Sequence, residues 1–130
     1  MHSIACRTDR EDMGRRWVII ALALATGVAL ELGIHLVTGR REAWDHPLYW
    51  TVGLPCAGVA ALAIGLMSRQ ADWLWAFLIA PGQVMTMMLR SGEIGNLWPL
   101  TLVLSSILSA PFVAAAFVGS RLRPSRWRQQ

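Results

Sequence analysis

Lysine is absent from this 130-residue chain, and all twelve basic residues are arginine. That bias is typical of GC-rich coding sequence and favours a bacterial source. Charge of either sign is scarce: 15% of residues against 55% hydrophobic. Soluble domains normally carry about a quarter charged residues, so an ordinary soluble domain is excluded. There are two cysteines. Cys6 falls near the start and Cys56 inside an apolar run, at different depths, so a disulfide is not expected; no zinc-ligand spacing occurs. A phosphate-binding loop, a His-Glu-x-x-His pattern and a nucleophile–base–orienter set are also missing. The expectation is a protein with no catalytic set, cofactor or metal.

What is present is apolar length. Apolar runs fall at 17–37, 48–67, 73–89 and 98–119. Each is close to the 17–25 residues that cross a hydrocarbon core as a helix. The length allows a single domain: an all-α, up-down bundle of four transmembrane helices over 17–120. A tail over 1–16 precedes it and a basic tail over 121–130 follows. The links "TGRREAWDHP", "SRQAD" and "RSGEIGNLWP" are short. They predict that successive spans run antiparallel and pack on one another.

Nine of the twelve arginines lie on one side of this layout: Arg7, Arg10, Arg15, Arg16, Arg69, Arg121, Arg123, Arg126 and Arg128. Arg40, Arg41 and Arg90 lie on the other. The excess of basic residues on cytoplasmic segments predicts cytoplasmic termini and a multi-pass protein of the bacterial inner membrane. Trp17, Trp73 and Trp75 mark the inner ends of the spans, and Trp44, Trp50 and Trp98 the outer ends, where indole prefers the headgroup level. A cleaved signal is the rival for the first run, but its flank is long and acidic for one. The net charge of +4 sits mainly in the tails, which points to anionic lipid headgroups rather than nucleic acid.

Every span carries a polar or small face. At about 100° per residue, Gly27, Glu31, His35 and Thr38 align on the first, and Gln83, Thr86 and Arg90 on the third. Thr101, Ser105 and Ser109 align on the fourth; Thr51, Pro55, Gly58, Leu62 and Gly65 form a mostly small stripe on the second. Acyl chains cannot solvate polar groups, so these faces turn inward. Counting about 1.5 Å per residue places Glu31 about 20 Å from the inner end of its span, level with Thr86 and Ser105. His35 and Arg90 lie about a turn higher. The candidate cluster is therefore Glu31, His35, Gln83, Thr86, Arg90 and Ser105.

Two readings of that cluster stay open: a structural clamp fixing helix register, or an outward-opening site for a proton, an ion or a small molecule. Glu31 and His35 supply two donors where a metal needs three or four. Met85, Met87 and Met88 point in different directions around a helix and suit packing better than copper binding. Pro55, Pro81 and Pro111, inside spans two to four, each free a carbonyl that a neighbouring helix must satisfy.

The run "ELGIHLVTGRREAWDHPLYW", the later "APGQVMTMMLRSG" and an apolar fourth span resemble small bacterial four-pass membrane proteins of no assigned activity. The resemblance covers about residues 17 to 120 and implies the fold but no chemistry. Small multidrug transporters share four spans and a glutamate in the first, but their flanking pattern is missing here. The expected function is a non-enzymatic accessory protein that associates with itself or another membrane protein through small residues such as Gly53, Ala57, Ala60 and Ala61. The alternative is a small oligomeric transporter or ion-conducting protein using Glu31, His35, Gln83 and Arg90.

Overall fold

The computed structural model describes residues 2–40, 43–69, 71–92, 96 and 98–124, with side chains from residue 9 onward. Arg41, Arg126 and Arg128, and the side chains of Cys6 and Arg7, lie outside the described residues. Four α-helices account for most of the chain: α1 (His2–Thr38), α2 (Leu54–Met67), α3 (Ile79–Ser91) and α4 (Trp98–Arg121). No strand occurs among the described residues. Three helical stretches are long and apolar enough to cross a membrane: Asp9–Thr38, Tyr49–Met67 and Trp98–Arg121.

The first helix does not begin at Trp17. It runs unbroken through the charged segment before it, because residues 2–16 contain no proline and their single glycine, Gly14, is tolerated. It ends at Gly39, whose φ of +67° stops the helix in the left-handed region.

Proline shapes the second and third helical segments. Pro55 has no N–H and its ring would crowd the carbonyl four residues back. The backbone widens there into a π turn at Tyr49–Gly53, with the Leu54 N–H reaching Tyr49 O, five residues behind. His46 caps the start of this segment by accepting the Leu48 N–H at 3.1 Å. The third expected span is not one continuous α-helix. It opens as a 3-10 segment, Asp72–Leu78, and becomes α-helical only at Ile79. Pro81 then falls in the first turn of α3, where a missing N–H costs little. The carbonyl of Phe77, four residues before Pro81, lies 3.0 Å from the Ser109 hydroxyl of α4. That hydroxyl also lies 2.8 Å from Ser105 O, so its one proton is shared between two carbonyls.

Successive helices do pack on one another, α1 on α2 and α3 on α4, but these are not the tightest pairs. The closest contacts join α1 to α3 and α2 to α4. Both pairs run parallel: Arg16, Gly27 and Glu31 of α1 meet Asp72, Ile79 and Arg90 in rising order. Glycine makes these approaches. A Cβ on Gly27 would stand 2.1 Å from Ile79 O; one on Gly65 would stand 1.9 Å from Ala116 O; one on Gly119 would stand 2.3 Å from Leu62 O. No side chain fits at such distances, so backbone rests on backbone as in small-residue membrane interfaces. Gly53, Ala57 and Ala61, expected to meet a partner, are therefore spent inside the chain with Gly65, whereas Thr51 and Pro55 of the expected inward stripe are exposed. The reason is volume, since α4 can approach only a helix face without bulk. The core around these contacts gathers Ile19, Ala23, Ile79, Phe112 and Ala116. Large apolar side chains such as Leu36, Val59, Leu89 and Ile107 point outward.

Candidate functional site

The glycine contact of α1 with α3 sets two polar faces against each other above it. Glu31 lies one turn beyond Gly27 on α1 and is 0% exposed. Arg90, in the last turn of α3, places Nη1 3.6 Å from Glu31 Oε1, with a quarter (25%) of its side chain exposed. Its other terminal nitrogen, Nη2, lies 2.6 Å from Nδ1 of His35. The carbonyl of Arg40 also approaches Nδ1, at 2.8 Å. A guanidinium only donates and a carbonyl only accepts, so Nδ1 serves Arg90 when it carries no proton and the Arg40 carbonyl when it does. Arg90 thus spans from an enclosed carboxylate to an imidazole near the end of α1.

Gln83 is 1% exposed and belongs to a neighbouring contact rather than to this chain of charges. Its Oε1 accepts a 3.1 Å hydrogen bond from the hydroxyl of Tyr49, which is itself fully buried. The Gln83 Nε2 is buried with no hydrogen-bond partner among the described residues. Thr86 is 7% exposed but donates to Gly82 O on its own helix at 2.8 Å. Ser105 likewise donates to Leu102 O at 3.0 Å. Of the six candidate residues, then, Glu31, His35 and Arg90 come together. Gln83 pairs with Tyr49, and the two hydroxyls serve their own helices.

Beside Gln83 lies a cavity of about 280 Å³, walled by Trp44, Trp50, Leu100, Thr101 and Leu104 among others. It lies between α3, α4 and the link after α1. Its lining is almost wholly apolar; Gln83, Thr101, Ser105 and the indoles of Trp44 and Trp50 are its hydrogen-bonding side chains.

A second cluster of charge sits at the opposite end. Asp72 is 5% exposed at the start of the 3-10 segment. Its Oδ1 accepts from Arg16 Nε at 3.1 Å, and its Oδ2 lies 3.8 Å from Arg15 Nη2. Arg15 also holds Asp12 at 2.7 Å, and Arg123 donates to Ser68 O at 2.9 Å. Sequence reasoning missed both Tyr49 and Asp72. Tyr49 is the one tyrosine of the chain, a residue that normally finds a hydroxyl partner when buried, and that was a usable signal. Asp72 reads as a solvated link residue, and nothing nearby in the sequence shows that Arg15 and Arg16 reach it.

No family model matches this chain, and no curated protein or solved structure is significantly similar to it.

Proposed function

We propose that this chain is a four-pass protein of the bacterial inner membrane, with both ends cytoplasmic, that works by association rather than by catalysis or conduction. Three crossings rest on long apolar helices. The fourth is the 3-10 segment followed by α3. At about 2.0 Å per residue for the first and 1.5 Å for the second, the two span roughly 33 Å, enough for a core of about 30 Å. The arginine asymmetry supports the direction.

The observation that carries the reading is the enclosure of Glu31. A conducting carboxylate must meet the permeating ion or proton, whereas Glu31 is 0% exposed and faces Arg90. The cluster acts as a clamp that fixes α1 against α3. In proteoliposomes, wild type and Glu31→Gln should both show the proton and cation leak of empty vesicles. A flux that Glu31→Gln abolishes would remove the clamp reading. Association should appear on blue-native gels of mild-detergent extracts as a species larger than the monomer; a solitary monomer at every concentration would count against it.

One observation favours a second reading. The cavity beside Gln83 is of a size to take a small, mainly apolar molecule. In that reading the protein binds or carries such a molecule in the outer half of the membrane, with the Gln83 amide as its polar anchor.

A further inference from the structure

The opposite end of the molecule gathers positive charge from three separate segments. Arg15 comes from α1, Arg69 from the link after α2, and Arg123 from the turn after α4. Together with Leu66, Met67 and Leu122 they wall a cavity of about 660 Å³. Two acidic side chains meet part of this charge. Asp72 is engaged by Arg16 and Arg15. Asp12 Oδ1 is shared between Arg15 at 2.7 Å and Arg69 at 4.0 Å. Among the described ion pairs, Arg15, Arg16 and Arg69 share the two carboxylates of Asp12 and Asp72, and Arg123 adds a fourth guanidinium to this end.

We propose that Arg15, Arg69 and Arg123 form a site for the phosphate headgroup of an anionic glycerophospholipid, with its acyl chains lying along Leu66, Met67 and Leu122. The proposal rests on the membrane-crossing reading above. Guanidinium forks match phosphate oxygens in pairs. Basic pockets between helices at the cytoplasmic boundary are where such headgroups bind. Arg15 Nε is buried with no acceptor among the described residues, so the protein's own contacts leave this guanidinium incompletely satisfied. Partial desolvation, and then the guanidiniums of Arg69 and Arg15, lower the pKa of Arg123 below the usual arginine range. That repulsion is what a bound anion would relieve. The apolar half of the wall distinguishes a lipid from a free anion, since inorganic phosphate gains nothing from Leu66, Met67 or Leu122.

The test is native mass spectrometry of the full chain, released from detergent with phosphatidylglycerol and phosphatidylcholine of identical acyl chains. Wild type should retain phosphatidylglycerol preferentially. Near a membrane surface each arginine contributes about 1 kcal/mol, or about fivefold. Arg69→Gln with Arg123→Gln should therefore erase about a twenty-five-fold preference. Arg123→Lys keeps the charge without the fork and should fall between. Arg40→Gln, at the far end of the bundle, should leave the preference intact. An unchanged preference in the double variant would overturn the site. So would a thermal stabilisation by millimolar inorganic phosphate equal to that by phosphatidylglycerol, which would assign the pocket to a free anion. Retention of both lipids without discrimination by wild type would sink the site and leave the membrane reading standing. Retention of neither would sink both.

Discussion

Removing Arg90 should damage this protein far more than removing Glu31, although the two form one ion pair. At 3.6 Å and an effective dielectric near 20, their gross attraction is roughly 4–5 kcal/mol. The net worth of the pair is smaller and depends on which partner is left behind. Arg90→Gln takes the guanidinium away from a carboxylate that is 0% exposed. Breaking a buried pair in this way costs about 3–5 kcal/mol, and the partial exposure of Arg90 argues for the lower end, about 3 kcal/mol. Glu31→Gln leaves a guanidinium with a quarter (25%) of its side chain already exposed and His35 still in reach. Its cost should be about 1 kcal/mol, typical of one polar contact between membrane helices. The double variant should also cost about 1 kcal/mol, well short of the sum of the single changes. Unfolding by dodecyl sulfate in mixed micelles, followed by tryptophan fluorescence and helical circular dichroism, gives all three values. Equal losses for the two single variants, or additivity in the double, would refute the clamp.

Three further outcomes follow from the packing and are readable in the same assay. Gly65→Ala and Gly27→Ala should each cost about 2–3 kcal/mol, because the new methyl meets backbone at 1.9 and 2.1 Å; Gly58→Ala, with nothing within 4 Å, should be neutral or gain up to about 1 kcal/mol. Asp72→Asn should cost about 1–3 kcal/mol by releasing two arginines from a nearly buried carboxylate, and Arg16→Gln should cost less, since that side chain is 54% exposed. Tyr49→Phe should cost about 1–2 kcal/mol by stripping Gln83 of its partner, and adding Gln83→Leu should recover part of it.

The apolar windows and the polar stripes were legible in the sequence because both answer to local rules. A span needs a continuous run of apolar residues, and a buried polar residue repeats at helical spacing. Glu31, His35 and Arg90 could be placed at similar depth by counting residues. Pairing was not legible. Gly27 and Gly82 are each visible as glycines, but nothing local says that they meet across 55 positions and draw α1 onto α3. The same holds for Gly65 with Ala116, a contact that keeps Ala57 and Ala61, expected to meet a partner, inside the chain. Proline effects were half legible: Pro81 marked a freed carbonyl, but not the 3-10 segment before it or Ser109 as the donor. Asp72 was hidden by its setting, since a short charged link looks the same whether it meets water or two arginines from another helix.

The direct test of the account is the sidedness of three single cysteines, Arg40→Cys, Arg69→Cys and Pro124→Cys, in a chain otherwise cleared of Cys6 and Cys56. Intact cells are treated with a membrane-impermeant maleimide, before and after permeabilisation. The account predicts labelling of position 40 from outside, and of positions 69 and 124 only after permeabilisation. Position 124 reacting alongside position 40 in intact cells would mean an even number of crossings between them, where the account has three, and would contradict it.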